Sequence, residues 1–212
     1  MNKRCVILLT GKPAAGKTTL ANALAYRFNS VSSQFLEHPW RVVDADDIRR
    51  QFWPHLGHST EDRMANLAGL VHVAKGVLTA RNNVLLCCVS PFSEMRREML
   101  RSLSWAGGLL LDPVDNFITP YTFTFWVDAA LPVLRERDPK GLYRLQEQGK
   151  LKGLTGVDAV YEVPVEAEEP YLLVRTDHAP LDACVEDCYR YLNTRMQQSL
   201  HEHHELTETT TF

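Results

Sequence analysis

The chain has 212 residues, 45% of them hydrophobic and 23% charged, and a formal net charge of -3. That is enough chain for one well-buried domain of ordinary globular composition, and it offers no global positive field to attract duplex nucleic acid. No apolar run reaches the length of a bilayer span, so a soluble cytoplasmic protein is expected.

The run Cys5-Val6-Ile7-Leu8-Leu9 predicts a strand ending at Thr10. Directly after it stands Gly11-Lys12-Pro13-Ala14-Ala15-Gly16-Lys17-Thr18, followed by Thr19 and a helix-prone stretch expected to run to about Phe28. This is the phosphate-loop pattern in the strand, loop and helix setting that it requires. Glycines let the backbone wrap an anion, and the N–H groups opening the helix point at phosphates. Lys17 adds a mobile charge for the β and γ phosphates, and Thr18 offers a hydroxyl to magnesium. Gly11 to Thr19 is therefore the expected ATP site; a chance glycine turn would not carry this context.

Arg41-Val42-Val43 predicts a second strand, ending on Asp44-Ala45-Asp46-Asp47. Ligands of open α/β sheets lie beyond the carboxyl ends of the strands, so these acids are expected to face the phosphate loop. Ile48 to Phe52 starts a helix, Ser59-Thr60-Glu61-Asp62 caps another that continues to Arg81, and Val84 to Val89 is apolar throughout, as befits a central parallel strand. Ser90-Pro91-Phe92 closes that strand, and the charged segment through Arg101 predicts a helix with an exposed face. Ser102 to Tyr121 receives no assignment. Thr122 to Val127 is a fourth strand, Leu131 to Arg137 a short helix, Tyr171 to Val174 a fifth strand and Leu181 to Met196 a last helix.

Between them, Asp138 to Pro164 is a polar segment with scattered glycines, expected to act as a mobile lid that excludes water from phosphoryl transfer. Residues 199–212, with His201-Glu202-His203-His204, are expected to form a solvated tail and not a metal site. The five cysteines lack paired C-x-x-C spacing and are expected to be reduced and buried. The architecture expected is an α/β P-loop NTPase, a five-stranded parallel sheet with helices on both faces and a lid, forming one kinase domain over residues 1–198.

Beyond the phosphate loop, the chain resembles the adenylylsulfate kinases, P-loop enzymes that use ATP to phosphorylate the ribose 3′-hydroxyl of adenosine 5′-phosphosulfate. The resemblance rests on Asp44-Ala45-Asp46-Asp47-Ile48-Arg49, Leu56-Gly57-His58-Ser59 with Asp62-Arg63 and Asn66, and Ser90-Pro91-Phe92. Its most specific parts are Arg137-Asp138-Pro139-Lys140-Gly141-Leu142-Tyr143, Lys152-Gly153-Leu154-Thr155-Gly156 and Tyr161-Glu162-Val163-Pro164.

The resemblance implies catalytic roles for Lys17, Asp44, Asp46 and Ser90. Asp46 would orient the acceptor hydroxyl and hold magnesium with Thr18, while Asp44 supports it. Ser90 is discussed in the family as a phosphorylated intermediate, but direct in-line transfer needs none, so positioning is expected of it. Arg49, Arg63 and Asn66 would grip the acceptor's anionic end and ribose. His58, Ser90, Pro91, Phe92, Lys140, Lys152, Leu154, Thr155 and Gly156 complete the implied acceptor site, and Arg137 joins the ATP site. The chemistry agrees: a hydroxyl needs a carboxylate, and sulfate or phosphate suits the arginine fork. A helix cap worth about 1 kcal/mol would account for Asp44 and Asp46 without catalysis, and solvated helix charges would account for Arg49 and Arg63.

The departures fall on the acceptor side. His58 and Leu154 stand where the family usually has phenylalanines sandwiching the adenine, and base stacking is worth about 1–3 kcal/mol per contact. Ala68, Gly69 and Ser93 replace arginines, and Pro13 and Ala14 stand where serine and glycine are common. The strand at 84–89 also lacks the terminal acid of a Walker B motif, which moves the metal-organising task to Asp44 and Asp46. The expected reaction is ATP-dependent phosphorylation of adenosine 5′-phosphosulfate, or a closely related nucleotide, in sulfate assimilation. A cytidine diphosphate derivative as acceptor, and a non-catalytic nucleotide-binding module, are the alternatives; a guanine-selecting switch lacks its Asn-Lys-x-Asp. The expected partners are a small nucleotide acceptor and a second copy in a homodimer, with neither nucleic acid nor membrane.

Overall fold

The computed structural model describes residues 4–31, 38–56, 60–104 and 120–208. Among them, β1 (Cys5–Thr10), β2 (Trp40–Asp44), β3 (Asn83–Cys87), β4 (Tyr121–Asp128) and β5 (Tyr171–Arg175) form one sheet in the order β2-β3-β1-β4-β5. All four pairings are parallel, and Leu9 of β1 sits in register with Cys87 on one side and Phe125 on the other. The connecting helices are α1 (Lys17–Asn29), α2 (Ala45–Phe52), α3 (Thr60–Thr79), α4 (Ser93–Ser104), α5 (Leu131–Arg137), α6 (Leu142–Glu147) and α7 (Leu181–Glu208).

Alternation along the strands explains why β1 is apolar without interruption. Cys5, Ile7 and Leu9 point to the face covered by α1 and α7, where Leu20, Leu24, Phe28, Cys188 and Leu192 are buried. Val6 and Leu8 point to the other face, against Ile48 of α2, Leu70, Ala74 and Leu78 of α3 and Met99 of α4. With helices on both faces, every side chain of β1 leaves water. The five-stranded α/β architecture expected from the sequence is the one observed. All five cysteines are unpaired and buried, and no helix among the described residues is long and apolar enough to cross a membrane.

Three boundaries or environments differ from expectation. Helix α2 begins at Ala45 and not Ile48, because Asp44 caps it, accepting a hydrogen bond from Asp46 N at 2.8 Å. The backbone of α7 continues past Met196 to Glu208, so the residues read as a tail are helical through that point. Segment 138–164 is not simply polar: it contains α6, and Tyr143 and Leu154 are core residues at 1% and 5% exposure. Most of the unassigned stretch after Ser102, residues 105–119, and the cap residue Ser59 lie outside the described residues.

Strand order puts the reversal of winding at β1, with β3 on one side and β4 on the other. The carboxyl ends of the strands therefore deliver the phosphate loop after Thr10, Asp44 at the end of β2, Cys88 to Pro91 after β3 and Thr176 after β5 to one edge. This is where open α/β sheets bind ligands.

Candidate active site

A cleft of about 870 Å³ runs along that edge. Its floor is the phosphate loop. Gly11 is required there by space, since a Cβ at this residue would lie 2.0 Å from the Val127 carbonyl oxygen. Gly16 is required by conformation, at φ 94° as the N-cap of α1. Ala14 holds the left-handed conformation at φ 62° without being glycine, which costs on the order of 1 kcal/mol.

Lys17 Nζ donates to the carbonyls of Gly11 at 2.9 Å and Lys12 at 2.8 Å, which holds the ammonium over the loop. Burial pushes its pKa below the usual lysine range. Thr18 Oγ1 donates to Asp44 Oδ2 at 2.5 Å. Asp44, buried at the end of β2, thus serves both as helix cap and as partner of the loop hydroxyl, and the structural and functional expectations for it coexist. Asp46 lies exposed two residues further on and pairs with Lys140 of segment 138–164. Against the raising effect of burial, the hydrogen bond and charge of Lys140, with Lys17 and Arg49, hold the Asp46 carboxyl below its ordinary value. Thr18 thus touches Asp44, while Asp46 lines the same cleft.

The cleft is lined by most of the residues the sequence singled out. They are Pro13, Ala14, Gly16, Lys17 and Thr18 with Thr19 of the loop, Asp44, Asp46 and Arg49, and Arg63 and Asn66 of α3. Ser90 and Pro91 follow β3, and Arg137, Lys140, Lys152, Leu154 and Thr155 come from the far wall. Gly11, Lys12 and Ala15 shape the loop without lining the cleft; Lys12 Nζ turns away to Asp128 at 3.2 Å. Gly156 packs on that lysine, where a Cβ would meet Lys12 Cδ at 2.7 Å, and Phe92 is part-exposed outside the cleft. His58 lies outside the described residues.

Arg63 joins α3 to segment 138–164, donating to Thr155 Oγ1 at 3.2 Å and to the Gly153 carbonyl at 3.1 Å. Asn66 is buried, and its Oδ1 has no partner although the residue lines the cleft, so it can accept a hydrogen bond from a ligand. Ser90 is 3% exposed, with its hydroxyl against Cys88 Sγ at 3.2 Å.

Two further side chains shape the loop: Thr176, which belongs to no motif, and Tyr143, which ends the Arg137-to-Tyr143 motif. Thr176 Oγ1 donates to the Ala15 carbonyl at 2.9 Å and accepts from Arg137 Nη1 at 2.8 Å, so the β5–α7 turn braces the phosphate loop and aims Arg137. Tyr143 donates its hydroxyl to the Pro13 carbonyl at 3.0 Å, fixing α6 to the loop. Burial pushes that phenol up to about 12, so it stays a donor. Ala179, Pro180, Leu181 and Cys184, with Leu142 and Leu151, add apolar lining to the cleft. A Thr176→Val variant loses a neutral hydrogen bond to Ala15, worth about 1 kcal/mol, and a charge-assisted one from Arg137, worth about 1.5 kcal/mol or more. It is expected to raise the KM for ATP at least about tenfold while the acceptor KM stays unchanged; initial-rate kinetics at varied ATP check this.

Comparison with known proteins agrees with this geometry. The family model described as adenylylsulphate kinase matches residues 3–171. The adenylyl-sulfate kinase of Pseudomonas aeruginosa is 36% identical over 190 residues, covering 89% of this chain and 85% of its own. The corresponding enzyme of Marinobacter nauticus is 33% identical over 193 residues, covering 91% and 86%. Among solved structures, the Mycobacterium tuberculosis APS kinase in complex with AMPPNP and APS superposes with a TM-score of 0.73 at 26% identity, over 91% of this chain and 99% of that one. With the match running from β1 through segment 138–164 to the start of β5, and relatives above 30% identity spanning most of both sequences, the chain belongs to the adenylylsulphate kinase family.

Proposed function

We propose that this protein is an ATP-dependent kinase that transfers the γ-phosphoryl group to the ribose 3′-hydroxyl of adenosine 5′-phosphosulfate. The observation that carries the reading is that Lys17 and Asp46 line one cleft, close enough for each charge to influence the other. ATP lies with its phosphates on the loop, its base between Arg137 and the apolar lining near Cys184. The acceptor enters from the side of Arg49, Arg63 and Asn66, with Lys152, Leu154 and Thr155 of the lid above it.

In-line transfer needs a positioned hydroxyl and compensation of the charge spread over the transferring oxygens. Asp46 orients the hydroxyl and takes its proton as the O–P bond forms, the bond to the departing ADP oxygen breaking in the same step. Lys17 stabilises charge on the γ-phosphoryl and on the departing oxygen. Ser90 remains a wall residue, its hydroxyl held by Cys88, and the phosphoryl passes directly between substrates. Magnesium fits the hard oxygens of Thr18, Asp44 and Asp46, a hydroxyl with two carboxylates. Bound there, it would neutralise triphosphate charge. The protein is read as cytoplasmic, acting in sulfate assimilation, and as self-associating in a homodimer.

The test is ADP release by purified protein given ATP, magnesium and adenosine 5′-phosphosulfate, beside a parallel reaction with a cytidine diphosphate derivative. Turnover with the first and not the second is expected; turnover with neither, at intact ATP binding, would overturn the reading. The pocket itself makes a further prediction. Leu154 is buried at the cleft, so Leu154→Phe is expected to lower the KM for adenosine 5′-phosphosulfate about fivefold by restoring one stacking face. An unchanged KM would remove Leu154 from the base site.

A further inference from the structure

The charged helix α4 buries an arginine. Arg96 has no exposed side-chain surface and Glu169, 73 residues further on, has 3%. Arg96 Nε donates to Glu169 Oε1 at 2.8 Å and Oε2 at 3.0 Å. Its Nη1 donates to the Ser90 carbonyl at 3.0 Å. Ser90 is a non-glycine residue at φ 37°, a conformation that persists only where its surroundings hold it.

The same place is gripped from the end of the lid. Glu162 N donates to the Pro91 carbonyl at 2.8 Å, and Ser93 N donates to Glu162 Oε2 at 2.8 Å. Ser93 Oγ donates to Glu169 at 3.1 Å. Tyr161, under the Arg96 guanidinium at 5.7 Å, places its hydroxyl 3.2 Å from Thr10 Oγ1, which donates to the Val89 carbonyl at 2.7 Å.

We propose that Arg96 and Glu169 are positioning residues for acceptor binding: their buried pair fastens the end of the lid and the chain just after it, residues 161–169, to the Ser90-Pro91 wall and so fixes the acceptor side of the cleft. The proposal rests on the kinase reading above and deepens it. Arg96 touches no substrate. It acts through the Ser90 carbonyl, and among the described residues none of its hydrogen bonds reaches the ATP side, built from the phosphate loop, Arg137 and Thr176. A clamp of this kind separates the two substrates kinetically, whereas a merely structural ion pair would not.

Removing one partner alone would strand a buried charge and endanger the fold, so the pair is replaced together, as Arg96→Met with Glu169→Met. Expected for the folded double variant is a rise of about tenfold in the KM for adenosine 5′-phosphosulfate, since small displacements of a binding wall are costly, with the KM for ATP within about twofold of the parent. Arg96→Lys keeps the charges paired but loses the fork that reaches both Glu169 and Ser90, so it is expected to raise the acceptor KM about threefold. An unchanged acceptor KM in either folded variant, or an equal rise for ATP, overturns the proposal. Parental turnover of adenosine 5′-phosphosulfate tests the kinase reading separately. Should the parent not use that acceptor, hydrogen exchange of Arg96→Lys still decides: peptides spanning 88–96 and 159–170 are expected to exchange about tenfold faster together, with α1 unchanged. Acceleration in neither peptide, or in one alone, sinks the clamp.

Discussion

Lys17→Ala is expected to lower kcat about 10³-fold, the range seen when one preorganised group that stabilises transition-state charge is removed. The fold should survive, because the Lys17 side chain bonds loop carbonyls of Gly11 and Lys12 and contributes nothing to either apolar layer. Its loss forfeits two hydrogen bonds and also the cost of partly desolvating a cation, so the two effects offset. Steady-state ADP release, measured beside a thermal unfolding curve, checks both halves. A variant that melts with the parent and turns over at the parental rate would take Lys17 out of the mechanism, and with it the assignment of the loop to the transferred phosphate.

The phosphate loop was legible because its chemistry is local: eight consecutive residues between a strand and a helix specify the backbone, the charge and the hydroxyl. The sheet was legible for a related reason. Val84 to Val89, like β1, is covered on both faces and is written as an unbroken apolar run. Arg96 was not legible. It stands in a run of charges that reads as a solvated helix face, and its partner lies 73 residues away, a distance over which no periodicity reports. Tyr143 and Leu154 stand in motifs of the resemblance, but their burial was hidden, since each is a single apolar residue in a segment whose composition is that of a loop. Thr176 belongs to no motif and is recognisable only once β5 brings it under the Ala15 carbonyl. The division of labour between Asp44 and Asp46 depended on a single turn of backbone. Both suit a cap and both suit a metal, and only the geometry assigns the cap and the Thr18 contact to Asp44.

That division makes Asp46→Asn the sharper test of the chemistry. The substitution keeps size and hydrogen bonding to Lys140 but removes the charge, and kcat is expected to fall on the order of 10²–10⁴-fold for a group that positions and deprotonates a hydroxyl. Asp46 is more than half exposed and its carboxylate pairs with an equally accessible lysine, so stability is expected to change little. The pairing has a consequence in pH. Lys140 helps hold the Asp46 carboxyl below its ordinary value, so Asp46 stays ionised on the acid side of the usual carboxylate range, and protonation that silences it occurs only at lower pH. Taking Lys140 away removes the lowering influence; the pKa of Asp46 rises, and the acid limb of the kcat/KM profile moves to higher pH. Lys140→Met is therefore expected to shift that limb upward while also reducing the overall rate, since Lys140 lines the cleft. An Asp46→Asn protein at near-parental rate would show that the hydroxyl is activated elsewhere. A slow Asp46→Asn protein beside an unshifted Lys140→Met profile would keep Asp46 in the reaction and release Lys140 from setting its charge.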